Sequence, residues 1–196
     1  MKTPPAELTA RLIKVSDQLE GTEFDVTIDE VAKLADVPRA TLYYYFSGKD
    51  DLIAFFLNEK FSLVRDAIAA AASSEGTVSE RLGRAMTAIL EGLQAHPPLC
   101  TELPIAVKRA GNMGEVMANA DRVIMTPLRE LLIEGRATGE LTVGDVDLTA
   151  TALMGALHFV GMMQLTTTGK LDAHAVAESL VPQLINGLRS GAPAAV

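Results

Sequence analysis

Within eleven residues, Arg39 to Lys49, the chain gathers a guanidinium, three consecutive tyrosines and an ammonium: Arg39-Ala40-Thr41-Leu42-Tyr43-Tyr44-Tyr45-Phe46, then Lys49. These groups suit recognition. A guanidinium can fork onto guanine or a phosphate, an alanine methyl can touch thymine, and phenol hydroxyls can reach phosphate oxygens. On a helix, Leu42 and Phe46 stand four apart and stack on one face, where they would pack inward. Arg39 with Tyr43, and Ala40 with Tyr44, repeat that spacing on sides turned away. The alternative is a buried aromatic cluster, but three consecutive tyrosines on a helix cannot all face one core, so at least one is exposed or bound. The chemistry points to duplex DNA.

The elements that must position this stretch are legible just before it. Thr27 precedes Glu30 by three residues, the capping-box spacing, and Ile28, Val31, Ala32 and Ala35 form the apolar face of a short helix. Asp36 falls where the chain must turn sharply, and Asp tolerates a left-handed backbone. Pro38 suits the first turn of the next helix, since its fixed φ is helical and its missing N–H has no partner to lose there. Two helices joined by so short a turn make a helix-turn-helix. Ahead of them, Leu8, Leu12, Val15 and Leu19 mark a first helix ended by Gly21 and preceded by a loose arm, Met1 to Pro5. Behind them, Ser47 and Asp50 repeat the capping-box spacing and open a long helix through Leu52, Phe56, Phe61, Val64 and Ile68 to Ala72.

This pattern resembles the TetR family of bacterial regulators, whose helix-turn-helix ends in Thr-Leu-Tyr, a variable residue, an aromatic or His, then Phe and shortly a Lys. Here the match is Thr41-Leu42-Tyr43-Tyr44-Tyr45-Phe46 and Lys49, within a resemblance covering roughly residues 8 to 56. Asp36 replaces the family's common turn Gly, and Pro38 its common Ser. The resemblance implies phosphate contacts by Thr27, Thr41, Tyr43, Tyr45 and Lys49, and base readout by Arg39, Ala40 and Tyr44. The helical pattern throughout predicts an all-α fold of about nine helices and a disordered tail of small residues (191–196), which the resemblance divides into a helix-turn-helix DNA-binding domain (1–52) and a ligand-binding and dimerisation domain (53–190). Implied partners are a double-stranded DNA operator, a second copy of the chain and a hydrophobic small-molecule inducer.

Periodicity alone supports helices throughout the remainder. Thr77 and Glu80 form a further capping box before Leu82, Met86, Ile89, Leu90 and Leu93, and Pro97-Pro98 ends that helix. Leu99 to Arg109 reads as helical with a break at Pro104, and Gly111 to Gly114 as a turn. Glu115 to Arg136 forms a longer helix kinked at Pro127. Helices over about Asp147 to Thr166 and Asp172 to Arg189 carry apolar residues on more than one face, so they are buried on several sides, either completing a monomer core or forming a dimer seam. The family builds its two-fold four-helix interface from this pair, and Gly155 and Gly161 would allow close approach.

Composition bounds the partners. A chain of 196 residues, 48% hydrophobic, is ample for a core, yet its net charge is −8. Residues 1–60 hold seven bases against eleven acids, a net of −4. DNA binding therefore requires the few cations to share one surface, and predicts modest, salt-sensitive affinity for random duplexes. That acidity keeps a second reading open: a helical ligand-binding or protein-interaction dimer without DNA binding. The lone Cys100 and the absence of an apolar leader fit a cytoplasmic protein. Leu148 to Leu165 is the most apolar stretch, but His158, Gln164 and several Thr and Gly interrupt it, so it reads as a buried helix and no membrane partner is expected.

Catalysis is not expected. His96 and Cys100 have the spacing of a helical metal pair, but Pro97-Pro98 interrupts the turn, so no metal is assigned. His158 sits among apolar neighbours, His174 reads as a surface residue, and no phosphate loop or nucleophile–base pair occurs. No cofactor is implied. Methionines concentrate in the second domain and adapt to ligands of irregular shape. Met86, Leu93, Leu103, Met117, Met125, His158 and Phe159 are the candidates for an apolar cavity between the middle helices.

Overall fold

The computed structural model describes residues 2–19, 26–97 and 113–188. They are almost entirely helical, as the periodicity requires: α1 (Ala6–Gln18), α2 (Ile28–Leu34), α3 (Arg39–Tyr45), α4 (Lys49–Ser73), α5 (Val78–Ala95), α6 (Met113–Ala120), α7 (Thr126–Thr138), α8 (Val146–Thr168) and α9 (Ala173–Leu188). The expected segment Leu99 to Arg109, with Leu103 and Pro104, lies outside the described residues, as do Gly21, Cys100, Gly111 and the tail 191–196. Two compact units emerge, one of residues 1–61 and 97–119, the other of residues 62–96 and 120–196. The helix α4 contributes to both.

The first unit is built on the helix-turn-helix. Leu8, Leu12 and Val15 of α1 meet Ile28, Val31, Ala32 and Ala35 around α2, with Leu42, Phe46, Leu52, Phe55 and Phe56 closing the same core. Phe46, Phe55 and Phe56 form a run of tilted ring contacts. At the start of α4 the expected Ser47–Asp50 cap is replaced by a pairing one residue on: the helix begins at Lys49, and the Ser47 N–H donates to Oδ2 of Asp51 at 2.9 Å. Asp51 is buried, so the carboxylate that turns inward satisfies the backbone while Asp50 stays in solvent. The amide of Asn119 in α6 donates to Oδ1 of Asn58 in α4 at 3.0 Å. Met113 already starts α6, so the expected turn over Gly111 to Gly114 is helical in its second half.

In the second unit α5 is the central element and packs on α7, α8 and α9. Its start carries the expected capping box, with the Thr77 N–H donating to Glu80 Oε2 at 2.9 Å and the Glu80 N–H to Thr77 Oγ1 at 3.2 Å. The remaining free N–H groups of that turn find Glu140: Val78 N donates to Oε2 at 2.9 Å and Ser79 N to Oε1 at 2.8 Å. Hydrogen bonds from Ser79, then from Val78 and Thr77, hold the Glu140 carboxyl below its ordinary range against the opposing effect of burial. Gly92 faces Val64 of α4 so closely that a Cβ would stand 2.4 Å from a valine methyl carbon. Only glycine lets these two helices meet there.

Pro127 does not kink a regular helix. The turn before it, Asp121–Met125, widens to a π-helix that joins α6 to α7. Proline has no N–H for the i−4 carbonyl and its ring would strike that carbonyl, so widening the preceding turn accommodates both defects.

One expectation about burial changes. The helix α8 is long and apolar enough to cross a membrane by length and composition, yet little of it is buried within the chain. Leu148 is 68% exposed, Phe159 58% and Met163 42%. Together with the exposed Ala152 and Gly155 they follow helical spacing along one stripe. A Cβ added at Gly155 would meet nothing within 4 Å. The opposite side, Ala150, Leu153, Leu157 and Gly161, is buried against the unit. Apolar character runs nearly all round the helix, and a single chain buries one side of it.

Candidate nucleic-acid interface

The geometry begins at Thr27. Its N–H donates to Glu30 Oε2 at 2.7 Å, its hydroxyl to the same oxygen at 2.8 Å, and the Glu30 N–H returns a bond to the Thr27 hydroxyl oxygen at 3.3 Å. The capping box therefore starts α2 as expected. Hydrogen bonds from Thr27, backbone first and hydroxyl second, lower the Glu30 carboxyl, and the Lys49 charge adds a smaller push in the same direction. Lys49 and Thr27 thus lie on a common side of the helix-turn-helix.

The turn follows the expected chemistry. Asp36 has φ of 53°, the single left-handed non-glycine among the described residues. The Val37 N–H reaches back to the Ala32 carbonyl at 3.0 Å and the Asp36 N–H to that of Lys33 at 3.3 Å, which closes α2. Pro38 stands one residue earlier than expected, at the cap with φ −59° and ψ 139°, so Arg39 opens α3.

From there the faces separate. Leu42 and Phe46 are fully buried. Arg39, Ala40, Tyr43 and Tyr44 are exposed, and Thr41, Tyr45 and Lys49 half-buried. Tyr43 and Tyr44 keep 51% and 60% of their surface in solvent, which excludes the buried aromatic cluster. The Tyr44 and Tyr45 rings meet edge to face at 4.9 Å. The result is one short helix presenting a guanidinium, a small methyl and phenols on its free side.

Two contacts here were not legible in the sequence. The Lys2 ammonium sits over the Tyr44 ring, 3.7 Å from its centroid, and Pro4 is buried. The arm expected to be loose is therefore laid on the domain, because a cation gains from the face of an exposed ring and proline from an apolar seat. Secondly, Arg39 Nη2 is paired with Asp29 Oδ2 at 2.5 Å. Arg39 and Asp29 are ten residues apart across a turn, a separation that no helical spacing rule links. On α1, Arg11 pairs with Glu7 at 2.9 Å.

The proposed cavity residues are less gathered. Met86 and Leu93 are buried on α5, Met125 and His158 are half-buried on the π turn and α8, and these elements pack on one another in the second unit. Met117 belongs to the first unit and is 44% exposed, while Phe159 lies on the exposed stripe. No cluster of metal-ligating side chains occurs among the described residues.

A buried first core, a capped α2, a left-handed turn and an α3 with a free polar-aromatic face define a helix-turn-helix whose second helix is open to a groove. Residues 23–54 match the family described as bacterial regulatory proteins, tetR family. That match covers the helix-turn-helix segment, where the chain is similar to the DNA-binding part of this family. The chain is 27% identical over 130 residues to the uncharacterised helix-turn-helix-type transcriptional regulator YhgD of Bacillus subtilis, covering 65% of this chain and 68% of that protein. It is 23% identical over 170 residues to the fatty acid metabolism regulator protein of the same organism, covering 83% and 85%. Its fold is similar to the crystal structure of the regulator FadR from Bacillus subtilis in complex with stearoyl-CoA, with a TM-score of 0.73 and 20% identity over 92% of this chain and 97% of that one. The family match and the curated relatives together point to a DNA-binding transcriptional regulator.

Proposed function

We propose that the chain is a homodimeric repressor that holds a palindromic operator and is released by a hydrophobic small molecule of the long-chain acyl-CoA class. The observation that carries the DNA half of this reading is α3 itself, with Leu42 and Phe46 buried and Arg39, Ala40, Tyr43 and Tyr44 left outward. Arg39, Ala40 and Tyr44 read base edges; Thr27, Thr41, Tyr43, Tyr45 and Lys49 hold phosphates and fix register. The acidic balance makes this grip modest and salt-sensitive.

The exposed stripe of Leu148, Ala152, Gly155, Phe159 and Met163 supports pairing of two chains through α8, with α9 beside it. Two-fold pairing sets two recognition helices roughly 34–36 Å apart, or a multiple, for successive major-groove faces. We assign Phe159 to this seam and keep Met86, Leu93, Met125 and His158 as the cavity lining, an apolar wall with one polar point. The acyl-CoA class is suggested by the fatty acid metabolism regulator and by the stearoyl-CoA complex among similar proteins. A ligand that prefers dimers of the wrong spacing shifts the population, and its affinity and that of DNA oppose each other by one coupling factor. The helix α4, which contributes to both units, is the natural carrier. The role is regulatory rather than enzymatic, in the cytoplasm, without cofactor.

Selection of bound duplexes from a random library tests this reading. A two-fold palindrome is expected, and stearoyl-CoA, but not CoA alone, should release it. A folded protein that enriches nothing at low salt would favour the alternative of a helical dimer that does not read DNA.

A further inference from the structure

The contact between Asp29 and Arg39 places a carboxylate beside a guanidinium on the surface proposed above to meet phosphates. Asp29 is the second residue of α2, Arg39 the first of α3, and the pair spans the turn with Nη2 and Oδ2 2.5 Å apart. Both side chains remain partly exposed, 41% for Asp29 and 66% for Arg39, so the pair forms part of the outward surface. Two physical costs attend the acid. Beside duplex phosphates it opposes binding. In addition, Asp29 Oδ1 is shut off from solvent with no hydrogen-bond partner among the described residues, a state that disfavours the fold. Neither cost is explained by capping, which Thr27 and Glu30 already perform for this helix.

The pairing acts on Arg39. An arginine at the open end of a short helix has many rotamers and would meet any nearby phosphate, whichever sequence carries it. The Asp29 carboxylate holds the Arg39 guanidinium close by charge attraction, which restricts how far it can swing across the surface. A fork held in one plane can match the O6 and N7 of one guanine; a swinging fork settles for phosphate.

We infer that Asp29 is a specificity-determining positioning residue: it orients Arg39 for base readout and keeps that cation off the phosphate backbone. This rests on the DNA-binding reading above. The expected signature is a trade. Losing Asp29 should strengthen binding to unrelated DNA while weakening discrimination at one base pair.

The test uses the full-length protein and the duplex enriched from a random library by the wild type, with every single-base substitution of it and an unrelated duplex of equal length. Arg39→Ala first identifies the base pair whose preference depends on Arg39. Asp29→Asn, which keeps shape and removes charge, should lower discrimination at that pair roughly fivefold or more, the lower range of one forked base contact. Discrimination elsewhere should stay within about twofold, and affinity for the unrelated duplex should rise about threefold, since one opposing charge is gone. Asp29→Ala should act at least as strongly. Asp36→Asn, the same charge change at the turn, should raise affinity for both duplexes without altering base preference. In an Arg39→Ala background, Asp29→Asn should leave discrimination unchanged.

Unaltered discrimination in folded Asp29→Asn and Asp29→Ala, or an equal loss in the Arg39→Ala background, would overturn the inference while leaving the DNA-binding reading intact. A wild type that enriches no duplex would overturn both.

Discussion

Helices α3 and α8 each leave several large side chains in solvent, and they do so with different chemistry. On α3 the exposed groups are Arg39, Tyr43 and Tyr44, each an apolar body ending in a polar tip. On α8 they are Leu148, Phe159 and Met163, which have no tip at all. The first set can face a wet, charged groove, because every hydroxyl or guanidinium finds a partner in phosphate, base or water. The second gains only when water leaves, so the partner it suits is another apolar surface. Exposure alone does not define a site; what the exposed atoms can bond does.

The largest effect should come from the core beneath the first surface. Leu42 is fully buried under α3, and Leu42→Ala should lower stability by about 2–5 kcal/mol in denaturant unfolding. Its neighbour Tyr43 is outward, so Tyr43→Phe should stay within about 0.5 kcal/mol of wild type. It should weaken binding about fivefold on every duplex alike, the worth of one hydrogen bond. A Tyr43→Phe protein that unfolded easily would remove the distinction between faces.

On the second surface, Phe159→Glu should leave the folded chain intact but separate the dimer, as read by sedimentation. Affinity for a two-site duplex should then fall about a hundredfold, since the two helix-turn-helices no longer bind as a linked pair. An unchanged dimer would move the seam away from α8.

The smallest effect concerns the unit that supports α8. The Glu140 carboxyl is lowered in the fold, so its contribution is complete above its unfolded value, about 4.3, and is lost as pH falls through the folded one. Glu140→Gln should therefore lower stability by about 1 kcal/mol at neutral pH. The gap to wild type should close in acid. A constant gap would mean that shape, not charge, holds the start of α5.

The two surfaces also differ in how far they could be read without coordinates. The helix-turn-helix was legible because its signals are local: a capping pair three residues apart, an Asp at the turn, a Pro at the helix entrance and an i,i+4 apolar pair in α3. Even there, long-range pairing escaped. Asp29 finds Arg39 across the turn, and Lys2 finds Tyr44 from an arm with no periodicity. For α8, hydropathy announced burial but could not say which chain supplies it. The same limit applies to the proposed cavity, where methionines at helical spacing mark α5 and the π turn as apolar without ordering Met86, Met117 and Met125 around one space. The π turn itself follows from Pro127, but proline specifies only that the regular ladder fails, not whether the helix bends or widens.

Both surfaces meet in a single observable, the mass of the complex formed with the enriched palindromic duplex in solution. The account predicts two chains on one duplex at low salt, joined through α8 and each engaging one half-site through α3. A complex containing one chain per duplex, or a stable dimer that leaves the duplex free, would contradict it.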